Sequence, residues 1–420
     1  MSVSGVTSVA RGRLYASGLL AVASAGSAAL GWCALLVVAH WATPSTYVAF
    51  AVLWALYYAV AGSVSGLQLE VTRWIVVNDR VGTHQARPVG RWGLFQVAGL
   101  AASVTALAVL ASFPWWRGPL DAGYPTALLM AAGALSLTGL MVVLGVLAAQ
   151  GRWLAAALIL AADAVVRLAC TVLVAATGSS LAWYALAIIS GSMVWLPLLL
   201  ASRSRLAHLA RSRSAAGLLG RASTAILSTA GAAVLIAGLP WLYALTSTEA
   251  GSELSAGLIA AIVLFRSPVL VLAQGVRPAV LRELASASVD VAAHVRHATL
   301  LYAAAAVALS TGAYVLGPAL LRVSFGDSYT VSEAQAAGLA LSAAVLAYVV
   351  HLSAALVAVD QHRRGTEGWL VAVLATVILL VAPIDGTSRL MLAAVVGPLV
   401  GAVYMAIAWD RAIRRTDGLS

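Results

Sequence analysis

Polar residues interrupt this chain in a regular rhythm, and long apolar runs separate them. A run of about 20 apolar residues, coiled as a helix, is long enough to cross the hydrocarbon core of a bilayer. The pattern predicts apolar helices at about 14–40, 45–67, 92–113, 123–149, 153–176, 181–201, 223–245, 255–280, 297–320, 333–359, 367–384 and 390–409. The predicted class is therefore an all-α polytopic membrane protein with about twelve transmembrane helices. The first run extends to about Val38, too long for the apolar segment of a cleaved leader, and reads as the first membrane helix.

Composition excludes the soluble alternatives. Over 420 residues, 62% are hydrophobic and 10% charged, and the mean hydropathy is +0.96. A soluble domain carries roughly 25% charged residues and could not bury so much apolar surface. A cytosolic enzyme, a secreted disulfide scaffold and a disordered chain are all ruled out. Cys33 and Cys170 fall inside apolar runs and read as small core residues.

The net charge of +10 comes from a chain whose basic residues are all Arg. They lie in short clusters between apolar spans, which fits the positive-inside rule and not nucleic-acid binding. With the N-terminus in the cytoplasm, twenty of the twenty-five Arg fall on inner segments and three on outer ones: Arg117, Arg322 and Arg389. The count predicts a multi-pass protein of the bacterial plasma membrane with both termini cytoplasmic; the Ala-, Gly- and Arg-rich usage points to a high-GC bacterial host. Trp41, Trp115, Trp116, Trp183 and Trp241 fall at predicted outer ends, and Trp74, Trp92, Trp153, Trp369 and Trp409 at inner ends, as interfacial anchors should.

A weak internal repeat runs through the chain. Gly66–Arg73 closes the second predicted helix as Gly275–Arg282 closes the eighth. Ala131-Ala132-Gly133 matches Ala336-Ala337-Gly338, and Gln150-Gly151-Arg152 matches Gln361-His362-Arg363. Three matches in order predict two six-helix lobes, 1–201 and 223–420, joined by a basic cytoplasmic linker at 202–222.

With Tyr47–Trp54, Gly66–Arg73, Gly145–Arg152, Leu264–Pro268 and Leu320–Tyr329 in this order, the chain resembles the multidrug/oligosaccharidyl-lipid/polysaccharide (MOP) exporter superfamily. The likeness is to its polysaccharide-biosynthesis, O-antigen-type flippase branch and covers nearly the whole chain. It implies two six-helix lobes, a central cavity, and alternating access for a polyprenyl-(pyro)phosphate-linked saccharide. Implied partners are that lipid-linked saccharide, the bilayer and glycosyltransferases of the same pathway, with no cofactor beyond an unidentified coupling ion or the membrane potential.

Charged residues inside a bilayer are expensive and need a partner or a wet cavity. Arg266, two residues before Pro268, sits deep in the eighth predicted helix. One reading is a cavity Arg that binds the lipid carrier's phosphate; the other is an Arg paired with a carboxylate or with helix carbonyls. Because Pro lacks an N–H, a kink is expected at Pro268. Asp163 and Arg167, at i and i+4 on the fifth helix, read as a self-neutralising pair or as a gate or ion-coupling site. Gln68, Glu70 and Arg73, with Gln274 and Arg277, mark two equivalent inner helix ends that could receive a headgroup or simply be solvated. His351 reads as a packed core His or as an ion-coupling group.

Other classes fit less well. A membrane glycosyltransferase needs acidic residues on an outer loop, yet the loop at His40–Pro44 has none and no outer segment exceeds about a dozen residues. An ATP-driven pump needs a phosphate-binding GxxxxGK[ST] loop, which is missing from the sequence. A drug/cation antiporter of the same superfamily is the nearest rival, although the first helix lacks the acidic residue expected of its proton-coupled members.

Overall fold

In the computed structural model, residues 3–80, 93–197, 215–247, 253–284 and 291–417 are described. Among them every regular element is helical. The helices are α1 (Val3–Trp41), α2 (Pro44–Arg80), α3 (Gly93–Trp116), α4 (Tyr124–Ala149), α5 (Trp153–Thr177) and α6 (Leu181–Ser190). They continue with α7 (Ala215–Ile236), α8 (Leu239–Thr246), α9 (Glu253–Leu284), α10 (Val291–Phe325), α11 (Glu333–Ala358), α12 (His362–Leu380) and α13 (Gly386–Asp417). Helices satisfy their own backbone polar groups, which lipid cannot do for them. Ten of the described helices are long and apolar enough to cross a membrane. The shorter apolar stretch Leu181–Pro197 and the polar-ended α12 bring the crossings to about twelve.

Two predicted helices are interrupted. The stretch expected as one helix at 181–201 leaves α-geometry after Ser190 and passes through a 3₁₀ turn at Gly191–Met193. The stretch expected at 223–245 breaks between α7 and α8 at Ala237-Gly238. Pro240 in the first turn of α8 has no N–H, so the carbonyl of Ile236 loses its helical donor there. By contrast, α9 runs through Pro268 as one continuous helix.

The chain divides into two compact units. The first comprises Met1–Trp41, Val60–Phe113 and Gly123–Thr229; the second comprises Ala42–Ala59, Pro114–Ala122 and Ala230–Ser420. Of the expected linker, positions 202–214 lie outside the described residues, and from Ala215 onward the chain is already α7. In the first unit α1 packs on α5, and α4, α5 and α6 pack pairwise. In the second, α8 packs on α12, and α11, α12 and α13 pack pairwise. The same pattern occurring twice is what an internal repeat produces.

The helix ends repeat as well. After α4, Gly151 turns left-handed at φ 68°, and after α11, Asp360 does so at φ 59°. The following N–H reaches back across the last turn in each case, Arg152 to Leu147 at 2.9 Å and Gln361 to Leu356 at 2.8 Å. These are two Schellman closures. They align Gly151 with Asp360, so the sequence match of Gln150 with Gln361 is out of register by two positions.

Within the second unit α11 is central, with α9, α10, α12 and α13 all packed on it. The most apolar window of α11 is 78% buried, against 11% for α10, which turns Leu300, Leu301, Val307, Val315 and Val323 outward. Contact of α12 with α13 is close because Gly397 and Gly401, spaced as GxxxG, face Thr376 and Ala372, where a Cβ would collide. Two motifs of the family resemblance, far apart in sequence, meet here. The buried Tyr47 stacks edge-on against Tyr329 at 5.2 Å and Phe325 at 5.8 Å.

Several packing expectations fail. Trp41, Trp115 and Trp183 are exposed as anchors should be, but Trp74, Trp116, Trp369 and Trp409 are buried core residues. Their indoles fill helix crossings, where a large flat side chain removes most apolar area from its surroundings. Trp92 lies outside the described residues. Cys33 is exposed on α1 and Cys170 half-buried on α5, so neither is the core residue the apolar runs suggested.

Candidate functional site

Arg266 is 2% exposed, buried in α9. Its Nη2 donates to the carbonyl of Leu235 at 2.9 Å. Leu235 belongs to the last turn of α7, where the break before α8 leaves carbonyls without helical N–H partners. The guanidinium therefore substitutes for a backbone donor, at a helix C-terminus where a cation is also favoured electrostatically. The Nε and Nη1 atoms are buried with no hydrogen-bond partner in the structure. A helix carbonyl thus occupies one guanidinium nitrogen, and two nitrogens are left without a partner.

Asp163 and Arg167 pair as their spacing predicts, Nη2 to Oδ1 at 2.6 Å, with side chains 14% and 3% exposed. The pair lies against the interrupted α6. A Cβ on Gly191 would sit 2.3 Å from the Asp163 carbonyl oxygen, so only glycine lets the 3₁₀ turn approach this closely. Buried hydroxyls close the surroundings: Ser136 Oγ donates to Ser192 O at 2.9 Å, and Thr171 Oγ1 to Arg167 O at 2.8 Å. Trp195 Nε1 donates to Ser136 O at 3.1 Å.

The inner helix ends are less alike than the repeat implies. On α2, Glu70 is buried and accepts from Arg221 Nε of α7 at 2.6 Å. That ion pair, together with the Thr229 hydroxyl on the Ser63 carbonyl at 2.6 Å, fastens α7 to α2. Gln68 is half-buried and Arg73 exposed. On α9, Gln274 is exposed, while Arg277 is half-buried with an Nε that has no partner.

His351 is buried in α11, and its Nε2 has no hydrogen-bond partner. Its ring stacks on His294 of α10 with centroids 5.5 Å apart and planes 5° from parallel. The Tyr302 ring lies 5.5 Å from that of His351, tilted by 56°. His294 Nδ1 is 3.6 Å from Glu283 Oε1 at the end of α9. Sequence reasoning named His351 and passed over His294 and Glu283, because no spacing links three residues on three helices. Among the described residues no group of three His, Cys, Asp or Glu is arranged to hold a metal ion.

No protein-family model matches the chain. Among solved structures, the lipid II flippase MurJ in an inward closed conformation aligns with a TM-score of 0.69 at 11% identity, covering 93% of this chain and 87% of that chain. An inward-facing multidrug resistance MATE family transporter of the MOP superfamily gives 0.67 at 14% identity, covering 94% and 95%. The fold is that of the MOP exporter superfamily, and the chain is a multi-pass membrane protein. Over 410 residues it is 30% identical to the uncharacterized protein Rv3630 of Mycobacterium tuberculosis, covering 94% of this chain and 93% of that protein. The chain belongs to the same family as Rv3630.

Proposed function

We propose that this protein is a flippase. It carries a polyprenyl-phosphate- or pyrophosphate-linked saccharide from the inner to the outer leaflet of the bacterial plasma membrane by alternating access, for cell-surface polysaccharide biosynthesis. It is not an enzyme, and glycosyltransferases of the same pathway supply its cargo. The observation that carries this reading is the buried guanidinium of Arg266 with two open donors. A permanent charge in a low-dielectric interior is stabilised by an anion that also accepts its hydrogen bonds, and phosphate oxygens do both. Arg73, Gln68, Gln274 and Arg277 at inner helix ends are the groups that meet the headgroup first. Glu70, already tied to Arg221, serves the α2–α7 junction instead. The likeness in fold to a lipid II flippase supports a lipid-linked cargo.

A second reading, a drug/cation antiporter, is favoured by the likeness in fold to the MATE transporter. Reconstituted vesicles holding a fluorescent polyprenyl-pyrophosphate saccharide separate the two. The flippase reading expects the label to cross to the opposite leaflet with the wild type. A lysine ammonium can serve the Leu235 carbonyl or the cargo but not both in one plane, so Arg266→Lys should slow crossing about tenfold or more. Arg266→Ala should slow it further and lose roughly 1–3 kcal/mol of stability, because a buried carbonyl is left unpaired. Normal crossing per folded molecule in both variants would remove Arg266 from the site. Drug efflux without crossing would establish the antiporter.

A further inference from the structure

We propose that the stacked imidazoles of His294 and His351 are the proton-binding site of this transporter, loaded from its inner face through Glu283. Three helices of one unit build the cluster: Glu283 ends α9, His294 begins α10, and His351 lies near the inner end of α11. Exposure falls along this order, with Glu283 57% exposed, His294 21% and His351 7%. The titratable groups thus form a ladder from the surface that the arginine pattern assigns to the cytoplasm into the helix bundle.

The geometry allows one proton and disfavours two. His294 Nδ1 faces the Glu283 carboxylate across 3.6 Å, so a proton held on the stacked pair has a carboxylate beside it. A second proton on His351 would place like charges face to face at 5.5 Å in a buried setting. The pair therefore has an empty state and a singly loaded state, and such coupled groups titrate as a unit. Against His351 stands the His294 ring, and behind His294 the Glu283 carboxylate. From α10, Tyr302 presents its ring within cation–π range of His351, and from α11, Tyr348 packs on Tyr302 at 5.6 Å while its hydroxyl meets Thr299 at 2.8 Å. Of the titratable groups that α12 and α13 bring to this end, Glu367 and Tyr404 bond to each other and to Arg364, and His362 pairs with Asp360.

Loading has a mechanical consequence. The proton creates an ion pair that ties the inner end of α9 to α10, and its loss releases α9. This helix also carries Arg266, 17 residues earlier and so about 25 Å along the helix axis. Coupling to cargo rests on the flippase reading; proton binding does not.

Two measurements on the full chain test the inference separately. In nanodiscs, NMR of ¹⁵N-histidine-labelled protein should show His294 and His351 titrating as a coupled pair. His294→Gln should change the His351 titration. Independent titrations, or a His351 that stays neutral from about pH 5 to 8 in every variant, would overturn the site. In vesicles holding the labelled lipid-linked saccharide, a gradient of one pH unit, worth up to about tenfold in equilibrium for one proton, should change wild-type crossing. His351→Gln should abolish that response; a response that survives overturns the coupling role. A coupled titration in a wild type that moves no lipid would sink the flippase reading and leave the proton site standing.

Discussion

Single side chains inside the spans behave according to their partners, and depth alone does not decide their role. Arg167 and Arg266 are both buried guanidiniums, yet the first is neutralised by Asp163 one turn away and the second is held by a helix carbonyl. Breaking a buried ion pair strands the remaining charge, at a cost of roughly 3–5 kcal/mol, whereas removing both charges is often near neutral. Asp163→Asn should therefore lower thermal stability in detergent sharply, and the double variant Asp163→Asn/Arg167→Met should recover most of it. If the double variant is as unstable as the single one, stranding of the Arg167 charge is not what destabilises Asp163→Asn. The i,i+4 spacing made this pair readable in advance. The Leu235 carbonyl was not readable, because it depends on where a neighbouring helix breaks.

At the scale of helices, two glycines that the sequence repeat treats as equivalent have different surroundings. A Cβ on Gly66 of α2 would lie 2.4 Å from the Ala225 carbonyl oxygen of α7, while one on Gly275 of α9 would meet nothing within 4 Å. Gly66→Ala should push α2 and α7 apart and destabilise by about 1–3 kcal/mol, as overpacking does. Gly275→Ala should stabilise by about 0.5–1 kcal/mol through the lower helix propensity of glycine. Melting temperatures of the two purified variants compare these directly, and equal shifts would refute the assignment. The interruptions in α6 and at α7–α8 belong to the same scale. Hydropathy reads through Gly191 and Gly238 because both lie within apolar runs.

For the whole molecule, the arginine asymmetry predicts which surfaces face the cytoplasm. In a background lacking Cys33 and Cys170, a cysteine at the exposed Gln361 should react with an impermeant maleimide only after the membrane is permeabilised. One at the exposed Ser180 should react in intact cells. The reverse pattern would invert the topology and move the Glu283 end of the proton ladder to the outer face. The recurrence of packing between α1, α4, α5 and α6 in α8, α11, α12 and α13 is the architectural counterpart of the weak sequence repeat. Few residues are needed to specify such a pattern, since small apolar side chains at helix crossings can be exchanged freely.

The approximate number of spans, their apolar character and the superfamily resemblance were all legible in the chain, because lipid imposes a length and a hydropathy on every crossing. The pairing of Asp163 with Arg167 was legible too, since both residues share one helix face. Tertiary structure decided everything that joins different helices: which Trp are anchors and which are core, the Leu235 partner of Arg266, the meeting of Tyr47 with Phe325 and Tyr329, and the stacking of His294 on His351 beside Glu283. Inside a bilayer most outward and inward positions are equally apolar, so periodicity cannot tell a lipid-facing residue from a buried one. Only the packing of one helix on another makes that distinction, and the candidate sites lie where those helices meet.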